Sequence, residues 1–257
     1  MRGLYMAEGA MLVQQSQLQV ISNNLANLRT TGFKKDRGVE TSFAEWMIYE
    51  MSPAADTNDG GSLNPIGSAA HNVATQETVT SFAQGPLEIT ERALDFALAG
   101  NGFFQVEGED DTLYTRNGRF VLDEDGTLVT SEGYQVIGVG GQIELQSENV
   151  YADPDGTLFE ITADGETNEV GQLDIAVFED DAQMEKYGEN YFLTDQGEGG
   201  EEDFEVIQGF LEGSNASLTR EMTDLMRVRR TYEAAQKIMI TYDQLLDRVA
   251  NEVGSSV

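Results

Sequence analysis

The residues of this chain that could do chemistry are mostly carboxylates, since it has 46 aspartate and glutamate residues and a single histidine. The segment Asp123-Glu124-Asp125-Gly126 begins like a calcium-binding loop. An EF-hand loop places its glycine at position 6 and a glutamate at position 12, whereas the glycine here falls at position 4. A hairpin turn explains the segment better. With so many carboxylates, close pairs are expected by chance, and they do not indicate a glycosidase-type acid and base.

The remaining candidates for catalysis or ligand binding are weak. His71 lies in a polar stretch without a nucleophile motif beside it, so a structural or solvent-exposed role is expected. The sequence contains neither a phosphate-binding loop nor a dinucleotide-binding glycine fingerprint. Trp46 stands in an apolar run, where core packing or subunit contact fits better than ligand stacking. We therefore predict no catalytic, cofactor-binding or metal-binding residue, no cofactor and no enzymatic activity.

Charge is distributed unevenly along the 257 residues. The formal net charge is −31, of which residues 38–213 carry −34, residues 1–37 carry +3 and residues 214–257 carry none. Such an acidic middle repels phosphate backbones and anionic membrane surfaces. We therefore predict that the chain does not bind nucleic acid and that binding to anionic membranes is disfavoured. The same surface stays solvated in high salt, which would suit a saline or alkaline habitat.

Cysteine usage and hydropathy limit the possible cellular locations of the protein. The chain has no cysteine, which rules out disulfides and thiolate metal sites. Its sequence has no stretch approaching the roughly 18 apolar residues of a membrane-spanning helix, so no membrane insertion is expected. The first residues lack the unbroken apolar core of a signal peptide. We expect a protein that is cytoplasmic or exported without a cleaved signal peptide.

Both ends of the chain show heptad periodicity. Residues 3–28 are predicted as a helix that ends before Thr31-Gly32, with one polar seam position at Gln14. Residues 217–253 repeat the pattern over five heptads. We predict that the two helices pair as a coiled coil, and the alternative is a long C-terminal helix packed on its own domain.

The middle of the chain is predicted to be mainly β. Residues 79–192 contain short runs rich in β-branched and aromatic residues, separated by Asp-Gly turn signals at 125–126, 155–156 and 164–165. Residues 51–72 are glycine-rich and polar and are predicted as a loop or linker, and residues 195–203 as an acidic loop. The predicted domains are an N-terminal helix with its signature (1–37), an extension (38–78), a β domain (79–205) and a C-terminal coiled-coil helix (206–257).

Several motifs, in this order along the chain, resemble those of the flagellar basal-body rod and hook protein family. They are ISNNLAN at 21–27, TGFKK at 31–35, QGPL at 84–87, LDFALAGNGFF at 94–104, YTRNGRF at 114–120, GTLVT at 126–130, LEGSN at 211–215 and RTYEA at 230–234. Arg229, Thr231 and Glu91 depart from the family pattern, and Glu91 stands where glycine is frequent. The length is similar to that of the rod members rather than that of the longer hook protein.

The resemblance implies a structural axial subunit, a rod or rod-like protein, located in the extracytoplasmic basal body. It implies export through the flagellar type III apparatus without a cleaved signal peptide, and helical assembly into a hollow shaft that transmits torque and conducts exported subunits. The implied partners are copies of the chain itself, other rod and hook proteins, and the export apparatus. The alternatives are a hook or proximal-rod member of the family, or a secreted β-domain glycan-binding module or enzyme with a deep cleft and facing carboxylates.

The residues expected to carry assembly are the heptad seams and the asparagines of the N-terminal signature. On the same resemblance, Asn23, Asn24 and Asn27 would fix helix register as buried polar groups, although an ordinary exposed helix face is an equal alternative. The complete set is Leu4, Met11, Leu18, Ile21, Asn23, Asn24, Leu25, Asn27, Leu218, Leu225, Tyr232, Met239, Tyr242, Leu246 and Val249.

Overall fold

The computed structural model describes most of the chain in residue-level detail. The described residues are 2–42, 46–51, 63–69, 73–108, 111–162, 167–178, 184–188, 190–195, 197, 199 and 204–255. His71 and the Asp164-Gly165 turn lie outside them, as do the side chains of Leu4 and Trp46. Two compact units are present, which we call unit 1 (Met1–Asn23, Arg37–Val79 and Thr219–Val257) and unit 2 (Asn24–Asp36 and Thr80–Leu218).

Two helices and a series of short strands make up the described part. Helix α1 spans Arg2–Ala26 and helix α2 spans Leu218–Ser255, which confirms both predicted helices to within about two residues. The strands are β1 (Asp36–Ser42), β2 (Trp46–Met51), β3 (Leu63–Ala69), β4 (Val73–Thr80), β5 (Leu87–Ile89), β6 (Phe96–Gly100), β7 (Phe103–Glu107), β8 (Thr112–Thr115), β9 (Phe120–Leu122), β10 (Leu128–Thr130), β11 (Gln135–Gly138), β12 (Gly141–Gln142), β13 (Val150–Ala152), β14 (Thr157–Ile161), β15 (Thr167–Gln172), β16 (Ile175–Ala176), β17 (Glu185–Tyr187), β18 (Tyr191–Leu193), β19 (Phe204–Gln208) and β20 (Phe210–Glu212).

Unit 1 contains two strand pairs and most of both helices. Strand β1 pairs with β4, and β2 pairs antiparallel with β3 through a register shift between Ile48 and Tyr49. Strand β3 lies within the stretch predicted as a loop or linker. Its pairing with β2 outweighs a glycine-rich, polar composition, because strand preference depends more on context than on residue type.

The predicted coiled-coil pairing of α1 with α2 is wrong. Among the described residues, the two helices share no extended run of contacts. Their lengths already differ, because 25 residues span about 37 Å and 38 residues about 57 Å at the helical rise. Every side chain from Ile240 to Val249 is exposed, so the second half of the α2 seam is uncovered. The mainly β centre flanked by two long helices is as predicted.

Unit 2 is built from antiparallel sheets around an apolar core. The main sheet runs β17-β18-β8-β7-β11-β10-β9, with β16 on β7 and β12 on β11. Strand β7 is the centre of this sheet and buries Phe103 to Val106, because neighbours cover both of its faces. A three-stranded sheet β13-β14-β15 and the pairs β6-β19 and β5-β20 complete the unit. The largest core cluster includes Phe96, Leu98, Phe104, Phe120, Leu128, Leu158 and Val206.

Two of the predicted Asp-Gly turns have the same geometry. The sequence DxDGTL occurs at 123–128 and again at 153–158. In each turn the glycine has positive φ, +83° at Gly126 and +89° at Gly156, and its N–H donates to the carbonyl of the first aspartate. These hairpins confirm that Asp123-Glu124-Asp125-Gly126 forms a turn rather than a calcium loop.

Glu91 is the one described non-glycine residue with positive φ, at +58°. Its N–H and that of Thr90 both donate to the carbonyl of Gly209, at 3.2 and 2.8 Å, which holds the strained backbone in place. A left-handed conformation costs a residue with a Cβ about 1–2 kcal/mol. The family departure noted in the sequence is therefore a site of strain.

We predict that Glu91→Gly raises the free energy of unfolding by about 0.5–1 kcal/mol, because the relief of strain exceeds the added entropy of the unfolded chain. Urea denaturation of the full chain measures the change. The control is Glu148→Gly, at an exposed residue without positive φ, which should be neutral or destabilising. A loss of stability in Glu91→Gly as large as that in the control would contradict the assignment of strain.

Candidate functional site

A buried charged junction joins four segments of unit 2 that are distant in sequence. Its charged members are Lys34, Arg116 and Glu212, with side chains 1%, 4% and 1% exposed. Lys34 Nζ lies 2.7 Å from Glu212 Oε1, and Arg116 Nη1 lies 3.5 Å from Glu212 Oε2. We call these three side chains and the backbone groups that bind them the junction.

Backbone groups satisfy the charges of the junction. Lys34 Nζ also donates to the carbonyls of Phe82 and Ala83, at 3.3 and 3.1 Å. The N–H of Gly85 donates to Glu212 Oε1 at 2.7 Å. Because a buried charge is tolerated only when it is paired and hydrogen-bonded, these backbone contacts help the junction to hold its charges.

Arg116 extends the junction towards the β core. Its Nη2 donates to the carbonyl of Gly100 at 3.0 Å, and its guanidinium lies 4.9 Å from the centre of the Phe103 ring. At this distance the cation is attracted to the face of the aromatic ring. Arg116 thus connects Glu212 to both β6 and β7.

Two glycines allow the segments to approach. A Cβ on Gly85 would overlap the carbonyl oxygen of Gly213, and a Cβ on Gly32 would overlap the backbone N of Asn117. Gly32 also has φ of +70°, and its N–H donates to the carbonyl of Glu212 at 2.7 Å. Both glycines belong to the family motifs, and close backbone contact is the physical reason for a residue without a side chain.

Asparagine side chains complete the connections. Asn215 accepts from the N–H of Lys35 at 2.8 Å and donates to the carbonyls of Ser81 and Ala83. Asn24 donates to the carbonyl of Asp36 and accepts from the N–H of the same residue, each at 2.9 Å. A single amide thereby holds the last turn of α1 against the start of β1.

A second, partly exposed ion pair holds the same N-terminal segment. Lys186 Nζ donates to both carboxylate oxygens of Asp36, at 3.0 and 2.9 Å, and to the carbonyl of Lys34. It also lies 4.3 Å from the centre of the Phe33 ring. The β17–β18 hairpin is thus joined to the segment that follows α1.

The predicted assembly residues fall into three groups by exposure. Asn24 and Asn27 are buried, and Asn27 accepts from the Thr30 hydroxyl at 3.0 Å. The side chain of Leu4 lies outside the described residues. Of the rest, Ile21 is buried; Met11, Leu18, Leu25, Leu225, Tyr232 and Met239 are half-buried; and Asn23, Leu218, Tyr242, Leu246 and Val249 are exposed.

The second half of α2 presents apolar side chains on more than one face. Leu246 and Val249 on the seam are 53% and 57% exposed, and Tyr242 is also exposed. Large exposed residues off the seam are Ile238, Ile240 and Leu245. We call these six residues the α2 apolar surface. A helix that is apolar on several faces is typical of a helix surrounded by protein.

The motifs were visible in the sequence, but the junction was not. The predicted assembly roles fell on the asparagines and the heptads, whereas Lys34, Arg116 and Glu212 are buried charged residues in the structure. The available signal was the presence of charged residues inside short glycine-containing motifs. Within the described part of the chain, no group of three or more histidine, aspartate or glutamate residues could hold a metal ion.

We predict that Glu212→Gln lowers the free energy of unfolding by about 3–5 kcal/mol, because two buried cations lose their counter-charge while the shape of the side chain is kept. Chemical denaturation of the full chain measures this. The control is Glu233→Gln, since Glu233 pairs with Arg229 at 3.1 Å on the exposed surface of α2. That change should stay within about 0.5 kcal/mol. Equal, small effects of the two substitutions would show that the junction contributes little.

Comparison with known proteins agrees with this placement of the motifs. Three family models match: the flagella basal body rod protein at residues 4–34, the flagellar hook protein FlgE/F/G D1 domain at 97–168, and the flagellar basal body rod FlgEFG protein C-terminal region at 207–252. Within the described residues, no helix is both long and apolar enough to cross a membrane.

Relatives match the chain over nearly its whole length. The flagellar basal-body rod protein FlgG of Bacillus subtilis (strain 168) is 33% identical, with 98% of each chain covered. FlgG of Buchnera aphidicola subsp. Schizaphis graminum is 32% identical, over 96% of this chain and 98% of the relative. The flagellar hook-basal body complex protein FlhO of Bacillus subtilis is 30% identical over 99% of each. The chain therefore belongs to the flagellar basal-body rod protein family.

Proposed function

We propose that this chain is a structural subunit of the flagellar basal-body rod, and that neighbouring subunits cover its α2 apolar surface. Membership of the family supports the structural role, and the α2 apolar surface supports the mode of assembly. Six large apolar side chains in one short helical segment are exposed in the single chain. Burying a large apolar side chain stabilises by about 1.5–3 kcal/mol, so covering this surface provides a strong drive for association.

Copies of the chain and other axial proteins of the rod and hook are the partners that fit this surface. Residues 214–257 have no net charge, whereas residues 38–213 carry −34. Like charges repel at short range, so packing through the neutral end avoids bringing acidic segments together. The proposed product is a helical, hollow shaft that transmits torque and conducts exported subunits.

A rod position is favoured over the hook. Relatives that match nearly the whole chain include proteins named as basal-body rod proteins and a protein named as a hook-basal body complex protein. We propose an extracytoplasmic location reached through the flagellar export apparatus without a cleaved signal peptide. We also propose that the chain has no enzymatic activity. The domain limits at 1–37, 38–78, 79–205 and 206–257, and the assembly roles of the heptad residues, stay predictions.

We predict that Leu246→Asp abolishes swimming and the incorporation of the subunit into basal bodies, because a charge would have to be buried between subunits. The side chain is exposed in the single chain, so the free energy of unfolding of the monomer should change by less than about 0.5 kcal/mol. The assay is motility and basal-body composition in a strain whose sole copy carries the substitution.

The matched control is Gln146→Asp, which adds the same charge at an exposed position of unit 2, outside α2. This variant should swim. If Leu246→Asp is incorporated and motile as well, the α2 apolar surface is not an assembly surface.

A further inference from the structure

Unit 2 is closed by a segment close to its C-terminal end. We call residues 204–215 the closing segment, because strands β19 and β20 lie within it. Strand β19 pairs along the whole of β6, from Phe204 opposite Gly100 to Gln208 opposite Phe96. Strand β20 pairs with β5, more than 120 residues earlier in the chain. Both pairings join the closing segment to the beginning of the β region.

The closing segment also fills the main core. Val206 is 4% exposed and belongs to the same core cluster as Phe96 and Leu98 of β6. Its N–H donates to the carbonyl of Pro154 at 2.9 Å, in the turn between β13 and β14. Without this segment, β6 would lack its partner strand β19, and the core cluster would lose the side chain of Val206.

The side chain of Gln208 bonds to two backbone segments, at Ala93 and along β13. Its Nε2 donates to the carbonyls of Ala93 and Val150, each at 2.7 Å, and its Oε1 accepts from the N–H of Ala152 at 3.2 Å. The neighbouring Gly209 donates its N–H to the carbonyl of Asp95 at 2.8 Å. These bonds hold β13 and β19 against the segment between β5 and β6.

The junction depends on the same segment, because Glu212 supplies the carboxylate that pairs with Lys34 and Arg116. Lys34 and Glu212 are 178 residues apart in sequence. A contact at such separation requires a large loss of chain entropy before it contributes any stabilisation. The acidic residues between them add self-repulsion that favours the open chain.

We infer that docking of the closing segment is the step that allows unit 2 to fold, so that a chain without residues 204–215 in place stays open. The closing segment supplies the partner strands of β6 and β5, a core side chain at Val206 and the carboxylate of the junction at Glu212. If the chain passes through the export apparatus of the proposed function with its N-terminus first, residues 1–203 emerge before the closing segment. The fold then keeps the chain open until nearly all of it has emerged.

The test is refolding of the full-length chain from denaturant, followed by pulsed amide hydrogen exchange. Amides of β7 and β8 should gain protection with the same rate constant as amides of β19. Gln208→Ala should slow all of them by about tenfold, because three hydrogen bonds that form at the closing step are lost. Gln142→Ala is the control, since Gln142 is exposed and bonds to the side chain of Gln135; its rates should stay within about twofold of the unsubstituted chain.

Protection of β7 and β8 ahead of β19, at a rate unaffected by Gln208→Ala, would overturn the inference. Val206→Ala provides the same comparison with a smaller change if Gln208→Ala does not refold. Refolding in solution involves neither export nor assembly. A failure here therefore leaves the rod role intact, and a motile Leu246→Asp strain would leave the folding result intact.

Discussion

The compensation of buried charge at Lys34, Arg116 and Glu212 is the constraint on which the rest of unit 2 depends. Two cations share one carboxylate in a site with almost no solvent, and backbone carbonyls and an N–H group help to stabilise the three charges. Those backbone groups come from residues 82–85 and from Gly100, and each must be correctly placed for the charges to be tolerated. The need to compensate the buried charges therefore fixes the relative positions of these segments. The junction has two cations and one carboxylate, so its formal net charge is +1. The net charge of the whole chain is −31, and this negative field stabilises the buried cations.

The junction lies where the chain enters and leaves unit 2. The last residues of α1 are held by Asn24, and α2 begins three residues after Asn215, which is bonded to the segment at 81–83. Hydrogen bonds within unit 2 thus hold the C-terminal end of α1 and the residues just before the N-terminal end of α2. The second half of α2 has the opposite character, since its apolar side chains are exposed. An uncovered apolar helix is what the proposed assembly through the α2 apolar surface requires.

What the sequence predicted well was local. The helices at both ends and the Asp-Gly hairpins at 125–126 and 155–156 depend on short-range periodicity and turn chemistry, and they are confirmed. The coiled-coil pairing was wrong because a heptad pattern identifies the apolar face of α2 and not what covers it. The junction was missed because Lys34 and Glu212, taken singly, look like ordinary surface charges. Glu91 is an intermediate case. The sequence showed a glutamate where the family often has glycine, but the strain could be recognised only from the positive φ in the structure.

Native-state amide hydrogen exchange at Gly32 and Gly85 tests the role of the junction most directly. The Gly32 N–H donates to the carbonyl of Glu212, and the Gly85 N–H donates to its carboxylate. If the junction holds unit 2 together, both amides should exchange only through global opening, with the same free energy as core amides such as that of Gln105 in β7. Exchange of Gly32 and Gly85 through local fluctuations, while the Gln105 amide stays protected, would contradict the account.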